Sequence, residues 1–212
     1  MIGVKEIVQD GVKFILDDER HALIKMIKDR HIKEVFIPHE LESGDKIDYL
    51  NHDFCQQGEY SKITIDEGIK VRRQAFYQAD VSKVVWNLSN RIIPSECFNS
   101  SNIKEIENID NVTRIDDNAF ANSEIREFKW PTHCPIIPHH CFAGSPLCKI
   151  SNISNVQEIS FAAFIRTSPE FVLDLSETGS CMFQEGALEG LNADNIIFPY
   201  YTSEEEMKKA IG

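Results

Sequence analysis

Ile93-Pro94-Ser95-Glu96-Cys97-Phe98, Ile115-Asp116-Asp117-Asn118-Ala119-Phe120 and Ile137-Pro138-His139-His140-Cys141-Phe142 are three versions of one phrase, set 22 residues apart. Each opens on Ile and closes on a small residue followed by Phe. The beat extends in both directions: Phe54, Phe76, Phe98, Phe120, Phe142 and Phe164 keep the 22-residue interval five times running. A fixed period of roughly 20–50 residues marks a solenoid, because one such unit cannot bury its apolar edge alone and stacked units can.

Other positions keep the same time. The residue before the Phe is small at Ala75, Cys97, Ala119, Cys141 and Ala163, as a crowded corner requires. Five residues after the Phe come Val81, Ile103, Ile125 and Leu147; eight after it come Val84, Ile106, Phe128 and Ile150. Seventeen after it the set is Val71, Ile93, Ile115, Ile137 and Ile159. The segment Ile125-Arg126-Glu127-Phe128-Lys129-Trp130-Pro131 alternates apolar with polar residues, the pattern of a short strand. Stacked turns would pair such strands at about 4.8 Å and set each Phe on the next.

The period frays at its ends. Leu188, preceded by Ala187, reads as a seventh anchor delayed by two residues, with Ile196-Ile197-Phe198-Pro199 as its strand. Upstream, Ile32 to Pro38 matches the strand around Phe128. The strand Tyr60 to Ile65 runs one residue late, and that at Phe171 to Leu175 one residue early. About eight stacked strands are expected between residues 32 and 199.

The Ile-Pro phrases and the Ala/Cys-Phe corners resemble the BspA-type leucine-rich repeats. Gly11 to Ile24 looks like the hairpin that often opens such arrays. Its alternation and its Asp17-Asp18 turn support a hairpin independently. The resemblance implies an α/β-type, mostly β, right-handed leucine-rich-repeat solenoid with one parallel sheet of about eight strands. Residues 1–30 would form the hairpin cap, 31–199 the array and 200–212 a C-terminal capping helix. The cap would offer Val12, Phe14 and Leu16 against Ala22, Ile24 and Met26. Ser203-Glu204-Glu205-Glu206 is a capping box, with Lys208-Lys209 near the far end, so a helix is predicted over 203–211. The family is a binding scaffold with varied partners.

Composition narrows the function. The formal charge is −12, with 42% hydrophobic and 26% charged residues, which fits a folded soluble chain and argues against general binding to nucleic acid or anionic membranes. No run of apolar residues reaches membrane-spanning or signal-peptide length, so a cytoplasmic location is expected, with a cell surface or virion as alternatives. Six Cys are present, at 55, 97, 134, 141, 148 and 181. Cys97 and Cys141 share one inward position two turns apart, about 9–10 Å, beyond disulfide reach. Cys134 and Cys181 fall where the pattern wants a buried apolar group, so reduced thiols acting as small hydrophobes are expected.

The cluster His133-Cys134 with His139-His140-Cys141 has zinc-binding residue types, yet its register turns the two Cys inward and leaves the His on loops. No nucleophile elbow, phosphate-binding loop, dinucleotide fingerprint or His-Glu-x-x-His motif occurs. Neither an enzyme nor a cofactor is expected. Four Asn-x-Ser/Thr sequons, at Asn87, Asn99, Asn111 and Asn152, read as incidental.

If positions eight and ten after each Phe point inward, seven and nine point outward. The first outward column reads Glu34, Lys62, Lys83, Glu105, Glu127, Lys149, Glu170 and Asn195; the second reads Phe36, Thr64, Val85, Glu107, Lys129, Ser151, Val172 and Ile197. Lys62 beside Lys83, and the acidic stretch Glu105, Glu107 and Glu127, place like charges on neighbouring strands, a cost that a partner could relieve. Phe36, Val85 and Ile197 would be apolar anchors. The expected function is a non-enzymatic protein-binding scaffold using this sheet face, through Glu34, Phe36, Lys62, Lys83, Val85, Glu105, Glu107, Glu127, Lys129, Lys149 and Ile197. Alternatives are a structural subunit of a larger assembly and a carbohydrate or host-surface adhesion module. A merely solvated face also fits, since strand propensity alone favours β-branched residues. The partner and the oligomeric state are left open.

Overall fold

The computed structural model describes residues 3–17 and 21–212. It is a β-solenoid with mostly parallel strands and one short C-terminal helix. Two stacks of strands run along it. The first stack holds Glu34–Ile37, Glu59–Ile65, Asp80–Val85, Glu105–Glu107, Glu127–Lys129, Lys149–Ser151, Leu173–Asp174 and Ile196–Ile197. These lie where the alternation placed them. Val35, Ile63, Val84, Ile106 and Phe128 all face the core.

The expected single sheet is divided into hydrogen-bonded pieces. One parallel ladder joins the four strands from Glu34–Ile37 to Glu105–Glu107, and two pairs follow it, Glu127–Lys129 with Lys149–Ser151 and Leu173–Asp174 with Ile196–Ile197. The breaks follow the strands that end at Glu107 and Ser151, each succeeded by a left-handed Asn, Asn108 and Asn152, with φ of 63° and 62°. A left-handed residue turns the chain off the strand path and leaves few extended residues to pair. Each Asn is held there by its own amide: Asn108 Nδ2 donates to the Trp86 carbonyl at 3.1 Å, and Asn152 Nδ2 to the Trp130 carbonyl at 2.7 Å. Trp86 and Trp130 are 44 residues apart, as are Asn108 and Asn152, so the array carries a two-turn period beneath the 22-residue one. Both Trp rings are buried, and their Nε1 groups donate to the carbonyls of Asn90 and Cys134 at 2.8 and 2.7 Å.

The second stack was not expected. It comprises Ala22–Lys28, Tyr49–Leu50 and Lys70–Val71, then Ile92–Ile93 with Arg114–Ile115, then Ile136–Ile137, Glu158–Ile159 and Met182–Phe183. From Lys70–Val71 to Glu158–Ile159, the residue seventeen after each Phe is buried, and the residue before it faces outward.

A third hydrogen-bonded column runs through the corners. From Phe76 to Leu188 each anchor is bracketed by left-handed residues two before and two after it, with φ between 52° and 83°. That curl lets the Phe76, Phe98, Phe120 and Phe142 amides donate to the carbonyls of Cys97, Ala119, Cys141 and Ala163 in the next turn, at 2.8–3.0 Å. The rings stack in step: centroids from Phe76 to Phe164 are 5.0, 5.6, 5.4 and 5.9 Å apart, and planes lie within 15° of parallel. Leu188 takes the same buried site, delayed by two residues.

One hydrophobic cluster runs from Val12 to Ala210. At the front, Val12–Asp17 pairs antiparallel with Ala22–Lys28, bringing Phe14 opposite Met26 and Leu16 opposite Leu23. The expected Asp17-Asp18 turn lies partly outside the described residues. A further strand, Val4–Gln9, pairs antiparallel with Val12–Asp17 through a two-residue turn at Asp10-Gly11, where φ is 51° and 74°. At Gly11 an added Cβ would meet Ile32 Cδ1 at 2.7 Å, so the turn seats directly on the array. At the back, the helix Glu204–Ile211 begins at Ser203 with a complete capping box. Its Lys209 and Ala210 carbonyls accept from the Gly186 and Leu188 amides at 2.9 and 2.7 Å. The helix thus ends the corner column that would otherwise expose unpaired donors.

Candidate binding surfaces

Parallel pairing places Glu34, Lys62, Lys83 and Glu105 in one row, and Phe36, Thr64, Val85 and Glu107 in the next. Glu127 lies beside Lys149, and Lys129 beside Ser151. These are the neighbours that the sequence pattern assigns. At the tail the register differs. Ile197 sits beside Asp174, not Val172, because Ile196 turns inward next to buried Leu173. A shift of two residues preserves which face each side chain takes, so burial periodicity could not reveal it.

The charges on this face are largely settled within it. Lys62 Nζ lies 3.5 Å from Glu34, and Lys83 Nζ lies 3.0 Å from Glu105 and also contacts Glu107. The hydrogen bonds that Lys83 donates to Glu107 and then to Glu105 raise its pKa. Lys129 pairs with Asp110 at 2.7 Å, outside both columns. The Lys62–Lys83 juxtaposition is therefore screened by carboxylates on the flanking strands, and the uncompensated repulsion expected from the sequence does not arise there. The apolar row stays open: Phe36 is 55% exposed and Ile197 47%, while Val85 is half-buried.

A second outward surface, on the second stack, escaped the sequence reading. It presents Lys70, Ile92, Arg114, Ile136, Glu158 and Met182 on successive turns. Ile92, Ile136 and Met182 are exposed. The available signal was the double apolar step Ile92-Ile93 and Ile136-Ile137, in which only one member can face the core.

The metal-type residues are not assembled. Cys134 and Cys141 are buried, and His140 lies edge-on to Phe161 at 5.4 Å. Among the described residues no group of three or more His, Cys, Asp or Glu is placed to hold a metal ion. All six cysteines are free, four buried and Cys148 and Cys181 intermediate, so Cys181 is less enclosed than its pattern position suggested. Burial pushes the thiols of Cys55, Cys97, Cys134 and Cys141 up, and that of Cys181 to about 12. Asn87 is 3% exposed, and its amide donates to the carbonyls of Asp66 and Ile69, which closes that sequon to modification. Among the described residues no helix is long and apolar enough to cross a membrane.

Comparison with known proteins agrees with this architecture. The BspA type leucine rich repeat region matches residues 69–185 in six copies. A leucine rich cell surface protein from Faecalibacterium prausnitzii A2-165 shares the fold, with a TM-score of 0.60 at 16% identity. The superposition covers 89% of this chain and 53% of that one, so the chain spans about half the length of that protein. A leucine-rich repeat protein from Eubacterium ventriosum ATCC 27560 is 14% identical, with a TM-score of 0.40 over 73% of this chain and 43% of its own. No curated protein gives a significant match. Matched over more than half of its length by that repeat, the chain belongs to the BspA-type leucine-rich-repeat family.

Proposed function

We propose that the chain is a non-enzymatic protein-binding scaffold whose partner lies along the outward face of the first strand stack. The observation that supports this most is the apolar row beside the ion-paired one. Phe36 is 55% exposed on the edge strand Glu34–Ile37, whose backbone pairs with Glu59–Ile65 and so fixes where the ring is presented on the face. Aromatic side chains are enriched at protein interfaces, where a few residues carry most of the binding energy. Glu105 and Glu127 flank the break in the ladder, Glu105 paired with Lys83 and Glu127 beside Lys149.

The test captures a partner with the wild-type chain, identifies it, and then measures affinity with Glu105→Lys/Glu127→Lys. Lys83 keeps Glu107 in that variant, so the fold is expected to survive, as an unchanged denaturant midpoint would show. At least a tenfold loss of affinity is expected. Unchanged affinity in the folded double variant would move the site to the loops or to the strand edges.

A further inference from the structure

The second stack carries a cation cluster that the acidic composition conceals. Lys70, Arg91 and Arg114 line a cleft of about 420 Å³ with Ile92. It adjoins another, of about 430 Å³, that continues past Arg114 to Ile136. Lys70 Nζ lies 5.9 Å from the centre of the Tyr49 ring, on which the Arg72 guanidinium also sits at 4.2 Å, outside the lining of both clefts. The ring draws both cations to one side of the stack and limits their freedom.

Asp117 lines the second cleft and forms no ion pair among the described residues, whereas the other carboxylates nearby are engaged. Asp116 pairs with Arg114 at 2.8 Å, Glu96 pairs with Arg73 and accepts from Gln74, and Glu67 accepts from the Leu88 and Ser89 amides. Among the described residues no carboxylate forms an ion pair with Lys70, Arg72 or Arg91. The chain as a whole is −12, but at physiological salt a charge is felt over only about 8 Å. Whereas the second cleft sets Asp116 and Asp117 beside Arg114, a ligand in the first cleft therefore meets Lys70, Arg91 and Arg114 against the single carboxylate of Asp116.

We infer that this cleft binds a short extended peptide segment, from another protein, in which acidic and aliphatic residues alternate. Its carboxylates meet Lys70 and Arg91, with Arg114 reachable by exchange from Asp116. Its aliphatic side chains lie on exposed Ile92 and Ile136. The interleaving decides the class of ligand: a sulfated sugar would use the cations and leave both Ile wet, whereas an alternating peptide uses both sets. The site is separate from the first-stack face and stands whether or not that face binds a partner.

The probe is a fluorescein-labelled, N-acetylated heptapeptide of alternating Glu and Ile, followed by anisotropy at 20 and 150 mM salt. Its Gln-for-Glu counterpart and a heparin oligosaccharide serve as competitors. Saturable binding is expected, weaker at the higher salt, and reduced at least tenfold in Lys70→Glu/Arg91→Glu and in the Gln peptide. Ile92→Ser is expected to weaken it several-fold. Lys104→Glu/Lys208→Glu, which changes the net charge equally on other surfaces, should stay within twofold of wild type. If the reversal variant fails to fold, Lys70→Gln/Arg91→Gln carries the same test. No saturable binding at millimolar peptide, equal binding by the cleft variants, or binding of heparin without the peptide would each overturn the inference.

Discussion

Phe120 stacks on Phe98 with ring centres 5.6 Å apart and planes 9° from parallel. On its other side Phe142 stacks at 5.4 Å, and Phe128 from the strand above tilts in at 5.0 Å. Phe120→Ala removes a fully buried ring from the middle of this column, where the corner hydrogen bonds from the Phe98 amide to Ala119 and from the Phe120 amide to Cys141 hold the turns in place around the gap. A loss of roughly 3–5 kcal/mol is expected from the denaturant midpoint. A change under about 0.5 kcal/mol would show that the ring does not sit in a continuous column.

The terminal helix depends on its capping box for its start and shields the last corner amides. Ser203 Oγ accepts from the Glu206 amide, and the Glu206 carboxylate accepts from the Ser203 amide at 2.8 Å. Ser203→Ala should cost about 1 kcal/mol. The local readout is amide exchange at Gly186 and Leu188, whose acceptors are helix carbonyls. Both should exchange faster in the variant, while the Phe98 and Phe120 amides keep their rates.

Thiol chemistry separates two classes of cysteine. Cys55, Cys97, Cys134 and Cys141 are buried, and burial raises their pKa, so the reactive thiolate is scarce and unreachable in the folded chain. No more than two thiols, Cys148 and Cys181, should react with an aromatic disulfide reagent before unfolding, and all six in denaturant without reductant. Fewer than six in denaturant would mean that a disulfide had formed.

Asp48 ties the front cap to the array. Its carboxylate accepts from His21 Nδ1 at 2.9 Å and from His39 Nε2 at 3.0 Å. Partial burial raises its pKa, but the His39 and His21 hydrogen bonds outweigh that and hold it below the ordinary Asp value. A depressed folded pKa contributes stability that is present above the unfolded value of about 3.9 and is lost as pH falls through the folded one. The stability gap between wild type and Asp48→Asn should therefore be open at pH 6 and narrow towards pH 3. A gap that is equal at both values would show that the carboxylate adds nothing as an anion.

The 22-residue spacing of Phe54 to Phe164 by itself determined the stacking, the inward set and the place of the first strand stack. Identical residues at a fixed interval need identical surroundings, and only a repeating turn supplies them. The Ser203–Glu206 capping box located the terminal helix, since it is a local signal, and the repeat alignment set Glu34 beside Lys62 and Lys83 beside Glu105. The second stack was not legible, because a two-residue strand such as Ile136–Ile137 is too short to show alternation. The slip that sets Ile197 beside Asp174 was hidden by the period of the strand itself. The break after Glu107 waited on a left-handed Asn108 reaching back to the Trp86 carbonyl, a contact across 22 residues. Whether Lys83 repels Lys62 or is held by Glu105 and Glu107 depends on where long side chains swing once the strands are side by side. Periodic burial is written along the chain, but hydrogen-bond partners and ion pairs between turns exist only after the turns have met.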